Sequence, residues 1–276
     1  MGIIYNRLLT ILNEESHEST YYHMAFVMLL NFEKLKHMSI NQVAQMCDVS
    51  KSTVSKFIRF IGYEDYSDFR YAAISSNKTT HSTEDFSMNV LQYGDHYSLE
   101  SMIDIMQKDI RLTYDRLDWD KIHRLVLDLY TYKKVGLFGL MFSETAAMDF
   151  QIKLCHCGKI VFTNINDIKQ DQFIHEAGED TLIVVFSESG DFIDNYQKRR
   201  FTEEYASKEP NFSVTKAKIV LITGNPAMEH DPRVSYCILL HRTTELRTHR
   251  ITYGVLTDII ACQYHEYVKQ MGENPC

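Results

Sequence analysis

The chain has 276 residues, 45% of them hydrophobic and 24% charged, with a formal net charge of −8. That length holds two ordinary domains and gives each a core, and the composition excludes disorder, collagen-like repeats and a disulfide-stapled mini-protein. No apolar run approaches the ~20 residues of a membrane-crossing helix, and the opening MGIIYNRLLTILNEES has neither a basic leader nor a small-residue cleavage site, so a cytoplasmic protein without membrane contact is expected.

From Ile3 to about Ser76 the pattern is one of short helices. Ile4, Leu8, Leu9, Ile11 and Leu12 recur at helical spacing, and 22–35 is a second apolar-periodic run without Gly or Pro. Segments 39–47, 50–61 and 67–74 follow, opened by Ser39, Ser50 and Ser67, each placed to cap a helix. Residues 75–83 are Ser/Thr-rich and aperiodic, a linker signal. Two helical stretches, about 98–117 and 119–132, then lead into short β-branched runs at 134–139, 159–163, 181–187, 218–223 and 235–240. Helical segments 143–157, 168–177 and 192–207 separate the first four runs, and a last helix is expected over 249–269. Strands alternating with helices imply a three-layer αβα sandwich around a parallel five-stranded sheet, which takes ligands at the carboxyl ends of its strands. The expected domains are thus an all-α domain, 1–76, a linker, 77–97, and an α/β domain, 98–276.

Net charge argues against coating nucleic acid through bulk electrostatics. The distribution matters more. Through Ser76 there are seven basic and eight acidic residues, yet 49–62 holds Lys51, Lys56 and Arg59 and no acid. Six cysteines without a leader read as reduced thiols. Cys155 and Cys157 flank His156, but positions two apart on a helix point about 200° away from each other. No second Cys/His pair stands at zinc-like spacing, so neither a metal nor another cofactor is expected.

The strongest motif is 39–58, SINQVAQMCDVSKSTVSKFI. Ile40, Val43, Ala44 and Cys47 make one apolar stripe, and Val49, Val54, Phe57 and Ile58 a second. Ala44 is small where two helices cross, and Asp48 falls at a tight turn that favours a left-handed residue. The outward positions Lys51, Ser52, Ser55, Lys56 and Arg59 offer hydroxyls and cations, the groups that reach base edges and phosphates from a helix in the major groove; Thr53 can face either way. The bland alternative is a helical hairpin with a solvated cationic face.

The longer stretch SINQVAQMCDVSKSTVSKFIRFIGYEDYSDFR resembles the amino-terminal helix-turn-helix domain of RpiR-type bacterial transcriptional regulators. The likeness lies at Ile40, Ala44, Val49, Ser50, Thr53, Val54, Phe57, Gly62, Tyr63 and Phe69. Asp48 replaces the usual Gly, and Lys56 the usual Arg, which loses a bidentate fork for guanine. The resemblance implies binding to double-stranded DNA through Ser39, Ser50, Lys51, Ser52, Thr53, Ser55, Lys56 and Arg59.

The second half is similar to the SIS (sugar isomerase) domain of the same regulators, at VGLFGLMFS (135–143), VVFSESGDF (184–192) and IVLITGNP (219–226), each a strand followed by a turn. Hydroxyl-rich turns beside helix N–H groups suit an anion such as phosphate. The likeness implies a phosphorylated sugar or related small metabolite bound by Gly139, Ser143, Ser187, Ser189 and Gly190, in a homodimer or homotetramer. Met141 stands where the family has a second Gly, which hinders close approach of a ligand to the backbone there, and Phe192 where it has a phosphate-binding Thr, which removes a donor and inserts an aromatic. No catalytic residue is assigned and a non-enzyme is expected. The alternatives are an isomerase-like enzyme, with Glu144, Glu188 or His175 as its general base, and a non-sensing regulator with a degenerate pocket. His241, Arg242, Arg247, His249 and Arg250 cluster before the last helix, to charge a ligand site or to pair across subunits.

Overall fold

In α1 (Ile3–Glu14) the side chains of Ile4, Leu8 and Ile11 fall on one face and are buried. They join the core of a helical unit completed by α2 (Thr20–Leu30), α3 (Phe32–Leu35), α4 (Ile40–Met46), α5 (Lys51–Phe60) and α6 (Tyr66–Ser75). The computed structural model describes residues 3–75, 98–194, 211–243, 246 and 248–272. The expected linker 77–97, the 195–207 part of the expected helix 192–207, and Arg247 lie outside the described residues.

Two local expectations for this unit need correction. The run 22–35 is not one helix. It breaks at Asn31, a non-helical C-cap (φ −117°) whose side-chain amide donates to the Val27 carbonyl at 3.0 Å beside its own backbone N–H at 3.2 Å. Nor does Ser67 cap α6. The Asp65 carboxylate does, accepting the N–H groups of Ser67 and Asp68 at 2.7 and 2.9 Å.

The second unit comprises α7 (Leu99–Asp115), α8 (Trp119–Thr131), β1 (Lys134–Phe138), α9 (Phe142–His156), α10 (Asp167–Glu176), β2 (Thr181–Phe186), α11 (Asp191–Asp194), α12 (Asn211–Val214), β3 (Lys218–Thr223), β4 (Tyr236–Leu239) and α13 (His249–Gln270). Its strands are parallel in the order β1-β2-β3-β4, with Val135 opposite Leu182, Ile183 opposite Ile219 and Val220 opposite Tyr236. Every residue of β2 is buried, as expected of a central parallel strand covered on both faces. One face, with Leu137, Val184 and Ile222, packs on α8, α9 and α13; the other, with Ile183, Val185 and Leu221, meets Ile174, Phe192 and Phe212. That is an α/β/α layering.

The sheet has four strands rather than the expected five. Residues 159–163 reach the free edge of β1 but pair at one position only, Phe162 with Gly136, where the Leu137 and Phe162 N–H groups donate to Phe162 and Val135 at 2.8 Å. Past Phe162 the chain is drawn off the edge. The Thr163 hydroxyl donates to Glu144 at 2.7 Å, and the Asn164 carbonyl accepts from Gln170 at 2.6 Å.

Among the described residues no helix is long and apolar enough to cross a membrane, and no three His, Cys, Asp or Glu side chains group as metal ligands would.

Candidate functional site

The helical unit builds a turn between α4 and α5 from local chemistry. Ser39 and Gln42 form a reciprocal capping box at the start of α4. At the turn Asp48 adopts φ 51°, the left-handed conformation its place in the motif asked for, and the Val49 N–H returns to the Ala44 carbonyl at 2.9 Å. The Ser50 hydroxyl then accepts the Thr53 N–H at 3.1 Å and starts α5. Val43, Ala44, Cys47, Val54, Phe57 and Ile58 are buried, and Tyr21 packs edge-on against Phe57. With those positions inside, Lys51, Ser52, Lys56 and Arg59 are exposed, Thr53 and Ser55 half-buried, and the two capping serines, Ser39 and Ser50, exposed. Several hydroxyls already have local partners. Ser52 and Thr53 lie 2.7 and 2.8 Å from the Ser50 oxygen, and Ser55 donates to the Lys51 carbonyl at 3.2 Å. Lys51 and Lys56 extend outward, while the Arg59 Nε also donates to the Glu64 carbonyl at 3.5 Å. Arg7 was not singled out in the sequence. Its guanidinium donates to the Ile61 and Gly62 carbonyls at 3.1 Å, giving partners to two carbonyls just past the end of α5.

In the α/β unit the loops after β1, β2 and β3 leave adjacent strands at the same edge of the sheet. Gly139 follows β1; any Cβ there would lie 2.6 Å from the Ser143 carbonyl carbon and 2.8 Å from the Glu144 nitrogen. Met141 holds φ 55°, so the backbone keeps a glycine-favouring turn without the glycine. Ser143 is buried in the first turn of α9. Glu144 does not point into the loop mouth. It is buried beneath the loop, where its carboxylate accepts from the Gly139 N–H (3.1 Å), Gln170 (2.9 Å) and Thr163 (2.7 Å). Burial outweighs these three donors and pushes its pKa up to about 8.

After β2, the Ser187 hydroxyl accepts the Phe192 N–H at 3.1 Å, the exposed Ser189 hydroxyl accepts that of Asp191 at 3.3 Å, and Gly190, at φ 85°, lies flat against Met228. Glu188 binds Arg242, whose Nε donates to Oε1 at 2.6 Å. The Phe192 side chain turns away from the loop into the core. It is buried on the lower face of the sheet against Phe212, because an apolar ring gains more in that core than at a wet turn. After β3, the Asn225 side chain donates to the Ser189 carbonyl at 2.8 Å and ties the second and third loops together.

Residues 7–79 match the family model described as the helix-turn-helix domain, rpiR family. The chain carries an rpiR-family helix-turn-helix domain. It is also similar to a curated protein of Providencia stuartii described as an uncharacterized HTH-type transcriptional regulator in the aarA 3′ region, 24% identical over 195 residues that span 69% of this chain and 67% of that protein. Among solved structures, the Vibrio vulnificus NanR protein complexed with ManNAc-6P aligns over 98% of this chain and 96% of its own, at 15% identity and a TM-score of 0.48. The sugar isomerase domain of an RpiR transcription factor from Sphaerobacter thermophilus covers 62% of this chain and 97% of its own, at 12% identity and a TM-score of 0.40.

In the α/β unit, the three residues considered as a general base have separate fates. Glu144 is a strut under the first loop, and Glu188 is held in the ion pair with Arg242. His175 is exposed in the last turn of α10, just ahead of β2 and so at the opposite end of that strand from the loops. Of the basic cluster, Arg250 lies over the Phe142 ring at 4.8 Å, while His249 flanks Phe142 and Tyr253. Two further residues serve the site without a sequence signal of their own. Asp109, fully buried in α7, accepts the Thr243 N–H at 2.6 Å and the Thr248 hydroxyl, fixing the segment that carries Arg242. Tyr253 of α13 is fully buried beside Ser143, Glu188 and Arg242.

Proposed function

We propose that this RpiR-type chain is a DNA-binding transcriptional regulator that contacts the major groove through α5 and binds a phosphorylated sugar or related metabolite at the strand-end loops. The observation that carries the DNA reading is the split of α5 into a buried apolar face and an exposed face bearing Lys51, Lys56 and Arg59. Ser39 and Ser50 set the starts of α4 and α5, and Ser52, Thr53 and Ser55 add hydroxyls to the same surface. For the ligand reading, support comes from Gly139, Ser143, Ser187, Ser189 and Gly190, which line adjacent loops at the carboxyl edge of a parallel sheet. The NanR structure was solved with ManNAc-6P, which makes hexosamine phosphates the first ligands to try.

In this reading residues 1–76 form the DNA-binding domain, 77–97 a linker and 98–276 the sensing and pairing domain. A homodimer or homotetramer presents two copies of α5 to grooves about 34–36 Å apart. Ligand and DNA then alter each other's affinity by the same factor. The loops bind rather than catalyse, since neither nearby carboxylate is left as a base. A gel shift on genomic fragments, comparing wild type with Lys51→Ala/Lys56→Ala, tests the first half: the variant loses affinity, and equal affinity would refute it. Calorimetry with hexose and hexosamine phosphates on wild type and Ser189→Ala tests the second. Heat that shrinks in the variant supports a ligand site, and no heat with any of them leaves an inert scaffold.

A further inference from the structure

The ion pair between Glu188 and Arg242 occupies the place where an anion would be bound. Glu188 lies between Ser187 and Ser189 on the loop after β2, and its carboxylate covers Gly224, where any side chain would strike it. The pair is largely enclosed, with side-chain exposures of 21% and 15%. Both halves stand on anchored backbone: the Glu188 carbonyl accepts from the Gly224 N–H at 3.1 Å and from the Thr223 hydroxyl at 3.0 Å. Arg242 stands on a segment anchored twice to α7, through Asp109 to Thr243 and Thr248 and through the Thr113 hydroxyl to the His241 carbonyl at 3.3 Å. Glu188 reaches it from a short turn.

Next to this pair is a polar group with unused capacity. The Tyr253 hydroxyl is fully buried near Glu188 and Arg242; the Ser143 hydroxyl approaches its oxygen, and no acceptor for its proton stands within hydrogen-bond distance among the described residues. Buried hydroxyls are rarely left so, and an orphan at a candidate site points to a group that arrives from outside. An O–H donor beside a guanidinium calls for an acceptor bearing negative charge and several oxygens.

We propose that Glu188 is a built-in competitor for Arg242, and that a phosphate-bearing ligand displaces its carboxylate to take both the Arg242 guanidinium and the Tyr253 hydroxyl. The proposal rests on the reading of the strand-end loops as an anion site and adds to it a mechanism of entry. Glu188 keeps the guanidinium paired and sets the threshold a ligand must exceed. Tyr253 supplies a donor that Glu188 leaves unused, and so favours phosphate over the internal carboxylate.

The test is calorimetric titration of the full chain with inorganic phosphate and with glucosamine 6-phosphate, on wild type, Glu188→Gln, Asp191→Asn and Tyr253→Phe. Glu188→Gln removes the competitor and binds about tenfold tighter or more, the scale of a lost charged hydrogen bond. Asp191→Asn removes the same charge from an exposed neighbour on that loop and shifts affinity less than about twofold, as a screened surface charge does. Tyr253→Phe binds about tenfold more weakly yet melts close to wild type, because the proton it removes has no acceptor among the described residues of the free protein. Equal shifts in Glu188→Gln and Asp191→Asn would reduce the effect to general charge and overturn the competitor. Wild-type affinity in Tyr253→Phe, or a lower melting point, would overturn the role of the hydroxyl. Binding that responds to Ser189→Ala but not to these variants defeats this proposal alone. No binding by any form defeats the ligand reading with it.

Discussion

Replacing Glu144 by Gln should stabilise the protein by an amount that grows as pH rises from about 4.5 to 8. The carboxyl group is 1% exposed, and its pKa is lifted from 4.5 to about 8. Between those limits the folded chain keeps a proton that the unfolded chain has released, so stability is full below pH 4.5 and is lost as pH rises toward 8. At 1.36 kcal/mol per pH unit the lift corresponds to about 3–5 kcal/mol once the group is fully ionised. Glutamine keeps the geometry without the charge. Its oxygen accepts from Gly139 and Gln170, and its amide donates to Thr163 once that hydroxyl turns. Unfolding free energies from urea melts of wild type and Glu144→Gln, measured from pH 4 to pH 9, should nearly coincide at the acid end and separate by that amount at the alkaline end, the variant being more stable. A gap that is constant with pH, or that favours the wild type above pH 8, refutes the assignment of Glu144 as a buried strut with a suppressed charge.

Two further changes probe the first loop. Gly139→Ala places a methyl against backbone atoms of Ser143 and Glu144, which cannot rotate away, so it should cost about 1–3 kcal/mol in a urea melt and abolish phosphate binding; unchanged stability contradicts the packing. Met141→Gly should gain about 1 kcal/mol or more by relieving the φ of 55°, and a loss of stability in the same melt would show the backbone to be unstrained.

What the sequence made legible is what local chemistry decides. The caps at Ser39 and Ser50 and the turn at Asp48 need only neighbours within a few residues. A buried parallel strand such as β2 declares itself as the unbroken apolar run TLIVVF. Competing local effects were harder to rank. Asn31 breaks a helix and Asp65 takes a cap from Ser67, each through a side chain able to serve the backbone in more than one way. The fifth strand failed for a non-local reason. Its β-branched residues suit a strand, but Thr163 and Asn164 are held by Glu144 and Gln170, partners that spacing does not reveal.

The candidate site divides along the same line. Gly and Ser at strand ends mark the loops, and helical periodicity marks the outward face of α5. Glu188 and Arg242 stand 54 residues apart, and Asp109 and Thr248 139 apart, so only the fold brings them together. A lone aspartate on α7 reads as solvated surface, and Tyr253 is one of 17 tyrosines. Phe192 takes the place of a hydroxyl in the turn motif, but its ring follows the core, which the motif alone does not show.

The central claim is that α5 lies against a DNA duplex. The most direct measurement is the salt dependence of affinity for a bound genomic fragment, taken for wild type and for Lys51→Ala/Lys56→Ala. Each phosphate contact contributes about 0.9 to the slope of log affinity against log salt, so the double variant should bind more weakly and lose about 2 from the slope per bound protomer. A wild type that binds no fragment, or a slope that is the same in both proteins, would contradict it.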